Sequence, residues 1–311
     1  MIRWAAILIL FLIAAPHPAA AERVALTFDD LPTLSLSEDP AYATTTTRRL
    51  LADLRRERLP AIGFVVGDKF EDTPAVRAAL LGRWIRAGVE LGNHTYSHGS
   101  PNKMGAEAYI ADIARDDALL RQILAPAHRT PRWFRHPYLE TGPTLADQRR
   151  IEAWLAANGY RIAPVTVVNS DDQFALPYDE AILKGDRGAA AAIQGEYLAY
   201  TAICLDWYRK AALELLGRRP DLVMLLHASR LNADSLGDLA AMLRTRGLTP
   251  SPLDVVMRDP AYAIAEVQAD ANGDDWLERW SVTLKKDLDW TGFQDPPADV
   301  VAATARLDTE P

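Results

Sequence analysis

Short apolar runs alternate along most of the chain with longer segments of helical periodicity. The apolar runs have the length of buried strands and cover residues 24–28, 61–66, 133–134, 160–168 and 222–226. Between them, apolar residues recur three and four positions apart, and these segments end at Gly or Asn-Gly, as at Asn158-Gly159 and Gly247. This alternation predicts an α/β fold with a mostly parallel sheet. No repeat of fixed period is visible, which disfavours a solenoid.

The first 21 residues have a different pattern. Arg3 precedes an apolar run over residues 4–15, and small residues follow, ending in an Ala-x-Ala pattern at Ala21. This order is typical of a secretory signal, and the run is too short to span a bilayer comfortably. We therefore expect a signal peptide over 1–21, cleavage after Ala21 and an exported protein, periplasmic or extracellular. An uncleaved anchor is the alternative, and no later segment predicts a membrane helix.

Composition and charge exclude some partners. The 311 residues include 34 Lys and Arg against 42 Asp and Glu, a formal net charge of −8, so no basic face is expected for nucleic acid. The single cysteine, Cys204, cannot form an internal disulfide. It lies in an apolar helical stretch, so we expect a core residue and no thiol chemistry. The oligomeric state is not predicted.

Polar residues gather where the predicted strands end. Asp29-Asp30, Arg135-His136, Asp171-Asp172 and His227 each lie at or just beyond a strand's carboxyl end. In a parallel α/β fold these ends share one rim, and active sites are built there. Taken singly, each cluster has an ordinary explanation: the aspartate pair could be a turn or a helix cap, and His227 a core histidine. Together they predict one site.

His94 and His98 lie four residues apart, a spacing that lets both imidazoles face one ion from a helical turn or tight loop. Neutral imidazole with carboxylate suits zinc or a similar divalent metal. One member of the Asp29-Asp30 pair can complete such a site while the other takes a proton from water. A guanidinium beside that free aspartate, from Arg135, would keep it ionised and oriented.

Five motifs taken in order resemble those of a known family. They are Thr27-Phe28-Asp29-Asp30, His94-x-x-x-His98, Arg135-x-Pro137-Tyr138, Ser170-x-Asp172 and Leu225-Leu226-His227. The pattern resembles the polysaccharide deacetylases, the NodB-like carbohydrate esterases of family four, over residues 24–259. The resemblance implies a distorted (β/α) barrel of about seven parallel strands. It also implies a divalent metal, usually zinc with Co²⁺, Ni²⁺ or Mn²⁺ as alternatives, and hydrolysis of N-acetyl groups on an amino-sugar glycan.

The resemblance also implies roles for individual residues. The expected metal ligands are Asp30, His94 and His98. The expected catalytic residues are Asp29 as general base, Arg135 orienting it, Tyr138 offering a backbone amide to the oxyanion, His227 as general acid and Asp172 tuning it. Three protein ligands leave an ion open to water and to the substrate carbonyl.

Some positions depart from the family pattern. Leu31-Pro32 replaces Gly-Pro, Asn169 replaces an aspartate, and Gln173 replaces a tryptophan, which puts polymer recognition in doubt. An O-acetyl esterase and a small-amide C–N hydrolase with the same metal site therefore stay open as alternatives. A pseudoenzyme that only binds glycan is a third alternative.

We expect three segments: the signal peptide over 1–21, a catalytic domain over 22–258, and an extension over 259–311. In the extension, Trp276 and Trp280 predict a helix pinned to the barrel, followed by a Pro-rich end and disorder from about Ala298. Before it, one long helical segment is expected over 179–217. Its tyrosines and Tyr178 are expected to pack rather than line a cleft.

Overall fold

A computed structural model describes residues 22–308, so the predicted signal peptide lies outside the described residues. Within them a parallel sheet has the strand order β5-β4-β3-β2-β1-β6, and β7 pairs with β1. The seven strands are β1 (Arg23–Leu34), β2 (Ala61–Val65), β3 (Glu90–Asn93), β4 (Trp133–Phe134), β5 (Arg161–Ile162), β6 (Leu222–Ser229) and β7 (Thr249–Pro250).

The segment after β5 brings the two ends of the sheet together. Val167 forms a parallel bridge with Met224 of β6, and the Leu225 amide donates to the Val167 carbonyl at 3.0 Å. The sheet is therefore curled into a distorted barrel, and the predicted fold class is confirmed. Prediction missed β3 and β7, which are short, and β5 is regular for only two residues of the expected run.

Helices connect the strands and cover the outside of the sheet. They are α1 (Pro40–Glu57), α2 (Pro74–Arg86), α3 (Pro101–Met104), α4 (Ala106–Leu124), α5 (Leu145–Ala157), α6 (Asp171–Lys184), α7 (Arg187–Leu216), α8 (Arg230–Thr245), α9 (Leu253–Val256), α10 (Trp276–Leu284) and α11 (Ala298–Leu307). Local signals account for several boundaries. Proline opens α1 and α2, and Asp39 caps α1 by accepting from the Ala41 amide.

β1 is the central strand, and its irregular end positions the polar rim. Leu26 and Phe28 are buried between β2 and β6, opposite Ala61 and Gly63 on one side and Met224 and Leu226 on the other. The pairing registers shift after Phe28 on the β2 side and after Asp29 on the β6 side. Such an irregularity re-aims the side chains that follow. It occurs at the aspartate pair.

Gly92 in β3 allows a close approach beside the rim. A Cβ atom there would lie 2.5 Å from the Phe64 ring and 2.8 Å from the Trp133 carbonyl oxygen. A larger residue would therefore push β2 and β4 away from β3, just before the predicted histidine pair. Glycine at this position is a packing requirement of the barrel wall.

The structure refines one expectation about the helices and overturns another. The helical segment expected over 179–217 is divided between α6 and α7, because Gly185 adopts a left-handed conformation that ends α6. The chain from Ala298 is ordered as α11, since Val300 and Thr304 are buried and the helix packs on α6. Only tertiary contact supports so short a helix.

Other packing expectations are confirmed. Cys204 is buried, and burial raises its pKa to about 11, as for an inert core thiol. Trp276 and Trp280 are buried in α10. The four tyrosines expected to pack are buried as well: Tyr178, Tyr197, Tyr200 and Tyr208. Between residues 22 and 308, no helix is both long and apolar enough to cross a membrane.

Candidate active site

The polar strand ends meet at one pocket of about 290 Å³. Seven of the eight predicted site residues line it: Asp29, Asp30, His94, His98, Tyr138, Asp172 and His227. Arg135, the eighth, is fully buried and contacts Asp29. Residues more than 190 positions apart therefore share one cavity, as the convergence of parallel strand ends predicts.

The backbone at the end of β1 turns both aspartates to the pocket. Neighbouring residues on a regular strand point to opposite faces, but Asp30 adopts φ 64°. Positive φ values recur on the surrounding loops, at Thr95, His98, Tyr138 and Ser170. Non-glycine residues in this region cost of the order of 1–3 kcal/mol each and cluster at functional sites.

Asp30, His94 and His98 converge as a candidate metal site. The Asp30 Oδ1 atom lies 3.7 Å from His94 Nε2 and 3.4 Å from His98 Nε2. One ligand atom from each residue lies within 4.8 Å of the other two. Asp30 Oδ1 is buried and has no hydrogen-bond partner among the described residues. A buried carboxylate oxygen without a donor needs a cation, so the three residues fit a divalent ion.

The histidines are held ready to bind through Nε2. The Nδ1 atom of His94 lies 2.8 Å from the Arg135 carbonyl oxygen, a contact that requires the proton on Nδ1 and leaves Nε2 as an acceptor. Burial and then the neighbouring His98 keep the pKa of His94 well below its ordinary value. The imidazole is therefore neutral, as a metal ligand must be.

The loop between the histidines is fixed by one carboxylate. Asp112 Oδ2 accepts from the amides of Tyr96 and Ser97, at 3.1 and 3.0 Å, and from the Ser97 hydroxyl at 3.0 Å. The Thr95 amide donates to the Asn93 side chain at 2.9 Å. The i, i+4 spacing is therefore used on a tight loop and not on a helix.

Asp29 has a different environment. Arg135 Nη1 lies 3.1 Å from Asp29 Oδ2, and Arg135 is itself held by Thr27 Oγ1 at 3.1 Å and by the Ala163 carbonyl at 2.9 Å. Burial raises the pKa of Asp29, and the Arg135 charge opposes that shift without cancelling it. The carboxylate is thus oriented and more basic than an exposed aspartate, which suits a proton acceptor.

The carboxylate in direct contact with His227 is Asp171, the neighbour of the Asp172 expected to tune it. Asp171 Oδ1 lies 2.9 Å from His227 Nδ1, and Asp171 Oδ2 accepts from the His227 amide at 2.7 Å. Asp172 instead accepts from the Gln173 side chain at 2.8 Å. Asp172 also raises the pKa of His227 through its charge, so its expected tuning of His227 stays a prediction, while Asp171 makes the direct contact. Ser170 adopts a left-handed conformation and α6 starts one residue later, so Asp171 turns towards β6 and Asp172 towards the pocket.

Asp171 also sets the charge of His227. Burial alone would lower the pKa of His227, but the carboxylates around it, first Asp171 and then Asp30 and Asp172, together raise the pKa to about 10. Asn232 Nδ2 donates to Asp171 Oδ2 at 2.5 Å, which keeps this carboxylate in place. His227 therefore carries a proton at neutral pH, the state required of a general acid.

Tyr138 lies beside the metal-site histidines. Its hydroxyl is 3.2 Å from His98 Nδ1, and the two rings are 4.7 Å apart between centroids. The residue adopts φ 56°, and its side chain is about half exposed at the pocket. The expected role of its backbone amide stays a prediction.

Lys69 is a site residue that the sequence reasoning missed. Its Nζ atom lies 3.2 Å from Asp30 Oδ2 and 3.4 Å from the Thr33 carbonyl. Although burial raises the pKa of Asp30, Lys69 and then His98 hold it well below its ordinary range. Lys69 follows β2 on the same rim, and that position was the available signal. Asn169 is buried and donates to Tyr197 and Thr201, so it belongs to the packing of α7.

Comparison with known proteins agrees with this geometry. Residues 17–155 match the family model described as polysaccharide deacetylase. Over this stretch, just under half of its length, the chain is similar to the polysaccharide deacetylase family. A curated relative, the peptidoglycan-N-acetylglucosamine deacetylase of Bacillus cereus, is 28% identical over 154 residues, which cover 50% of this chain and 48% of that protein. The chain thus matches about half the length of this polysaccharide deacetylase relative.

Solved structures show the same fold. A polysaccharide deacetylase from Bacillus cereus has a TM-score of 0.51 at 19% identity, with 74% of this chain and 91% of that chain covered. A family 4 carbohydrate esterase pseudoenzyme from Bacillus anthracis has a TM-score of 0.51 at 15% identity, covering 78% and 66%. The deacetylase fold therefore occurs with and without activity, and the side chains of the site must decide between the two.

Substitution of the two neighbouring carboxylates tests the observed pairing. In Asp171→Asn the carboxylate charge that raises the pKa of His227 is lost, so we expect the imidazole to titrate well below pH 10. The measurement is the pH dependence of the His227 side-chain resonances by NMR. Asp172→Asn is the matched control and should lower the pKa less, because Asp172 acts on His227 only through charge at longer range. An equal or larger shift in the control would contradict the pairing.

Proposed function

We propose that this chain is a metal-dependent hydrolase that removes N-acetyl groups from an amino-sugar glycan. The observation that carries the proposal is the buried Asp30 Oδ1 atom, which has no hydrogen-bond partner within residues 22–308. It faces two imidazole Nε2 atoms, and the Arg135-bound Asp29 lies beside it in the same pocket as His227. Ion site, base and acid are the three parts that amide hydrolysis needs.

Asp30, His94 and His98 would hold the ion, with zinc the expected metal. When bound, a divalent ion at these ligands supplies Lewis acidity, which polarises the acetyl carbonyl and acidifies water. Asp29 is the group that takes a proton from the attacking water. Its Oδ2 atom lies 3.7 Å from His94 Nε2, close to the ligand set but bound by Arg135 instead. Arg135 keeps it deprotonated and correctly turned.

His227 completes the reaction as the acid. A new C–O bond forms between water and the acetyl carbon, and the C–N bond to the sugar breaks. The proton of the water passes to Asp29, and the proton of His227 passes to the leaving nitrogen. Because Asp171 keeps His227 protonated, the acid is available at neutral and mildly alkaline pH. The products are acetate and the free amino sugar.

The pocket also offers room for the acetyl methyl group. Aliphatic side chains of five residues line it: Leu34, Leu139, Val168, Leu176 and Leu225. A small apolar lining of this kind favours acetyl over longer acyl groups. For the oxyanion, we propose the Tyr138 amide as the protein donor, since this residue lies at the same rim.

The strength of the acid distinguishes an amide from an ester substrate. An amine leaves only after it receives a proton, whereas an ester leaving group needs less help. Asp171 is buried and contacts His227 twice, which keeps the imidazole protonated and able to supply that proton. It favours the N-acetyl substrate over the O-acetyl alternative.

Acetate release tests the proposed function. Zinc-loaded protein should release acetate from N-acetylglucosamine oligomers, and Asp29→Asn should reduce the rate by about 10²–10⁴-fold, since a positioned base is lost. Asp254→Asn is the matched control, because Asp254 pairs with surface arginines far from the pocket. Full activity in Asp29→Asn would place the base elsewhere. Zinc binding without acetate release from any sugar would favour the glycan-binding alternative.

We further propose export, supported by the basic start, apolar run and small residues of 1–21. Expression with this segment should deliver mature protein whose first residue is Glu22, as measured by N-terminal sequencing. A secreted protein that retains Met1 would contradict cleavage.

A further inference from the structure

The extension beyond the barrel contributes to the pocket at two separate places. Gly273 lies in the segment before α10, while Thr304 and Asp308 lie in and after α11, and all three line the same cavity as Asp29 and His227. The barrel strands end with β7 at Pro250, so neither stretch belongs to the sheet.

The first stretch is fixed against the Tyr138 turn. The Thr141 amide donates to the Asp270 carbonyl at 2.8 Å, and the Asp270 amide donates to Thr141 Oγ1 at 2.9 Å. Asp270 is buried and pairs with Arg279 of α10 at 2.7 Å. A Cβ atom on Gly273 would lie 2.2 Å from the Tyr138 carbonyl oxygen, so the two turns are in direct contact. These contacts fix the segment before α10 as one side of the pocket.

The second stretch is fixed against the first turn of α6, which carries Asp172. Thr304 Oγ1 donates to the carbonyl of Gln173, a pocket residue. Val300 is buried on the same helix, and Arg306 pairs with Glu180 of α6 at 2.8 Å. Helix α11 therefore reaches the rim through a buried contact, with an ion pair at its far side.

We propose that the extension is a specificity element that bounds the pocket and admits a short saccharide or a chain end. The proposal rests on the proposed function, since the ligand is its acetylated sugar. The cavity of 290 Å³ is at the lower end of the range of small-ligand pockets, which suits one sugar ring with its acetyl group. When a polymer binds through an internal unit, the chain on both sides of that unit must extend out of the pocket. The extension lies beside both the Tyr138 turn and the first turn of α6, at Gln173.

Chain-length dependence tests this proposal. Acetate release would be measured with N-acetylglucosamine oligomers of two and six units, and mass spectrometry would locate the deacetylated unit in the hexamer. We expect the intact chain to modify a terminal unit. In a chain truncated after Asp295, which lacks α11, the rate ratio of hexamer to dimer should rise by about tenfold, as a steric restriction is removed.

A milder variant guards against misfolding of the truncated chain. Thr304→Ala removes the contact with Gln173 and should raise the same ratio, in the same direction but less. Val301→Ala is the matched control, because Val301 is exposed on α11 and does not line the pocket. Internal deacetylation of the hexamer by the intact chain would overturn the proposal. So would an unchanged ratio in both folded variants.

A binding measurement separates this proposal from the proposed function. Calorimetry with the same oligomers measures how affinity depends on oligomer length, even if no acetate is released. Equal affinity of dimer and hexamer for the intact chain, with tighter hexamer binding after truncation, would support the bounded pocket. Tighter hexamer binding to the intact chain would contradict it. Absence of acetate release from every sugar would count against the hydrolase alone.

Discussion

The burial of two adjacent carboxylates at the end of β1 is the constraint on which the site depends. Asp29 and Asp30 are 3% and 4% exposed, and an uncompensated buried charge costs several kcal/mol. Each aspartate is compensated differently. Arg135 binds Asp29 and Lys69 binds Asp30, but Asp30 Oδ1 has no donor among the described residues and faces His94 and His98. The remaining deficit of positive charge is what makes this a site for a cation.

These unequal environments divide the work between the two aspartates. The pKa of Asp29 is raised by burial, while that of Asp30 is held low by Lys69 and His98 despite burial. Neighbouring carboxyl groups whose pKa values are pushed apart are suited to different roles, here a proposed base and a proposed metal ligand. The protonation of His227 is controlled separately, through its contact with Asp171. His227 lies on β6, which pairs with β1, the strand that carries Asp29. One parallel sheet therefore supplies the residues proposed as the ion site, the base and the acid.

The sequence predicted the site better than it predicted local contacts. Motif residues far apart in the chain could be assigned to one rim because the carboxyl ends of parallel strands converge regardless of loop conformation. The partner of His227 could not be assigned, since the choice between Asp171 and Asp172 depends on the left-handed Ser170. Helix α11 was missed for a related reason: few of its residues are buried, so its order comes from contact with α6. The contact of Lys69 with Asp30 likewise depends on a loop path that periodicity does not encode.

Metal content after zinc loading and dialysis is the most direct test of the proposed metal site. The protein and His128→Ala, a substitution of an exposed histidine outside the pocket, should each retain a single equivalent of zinc by elemental analysis. Asp30→Asn and His94→Ala should bind zinc far more weakly, since each removes one of only three protein ligands. Retention of a full equivalent by both substituted proteins would contradict the central claim that Asp30, His94 and His98 form the metal site.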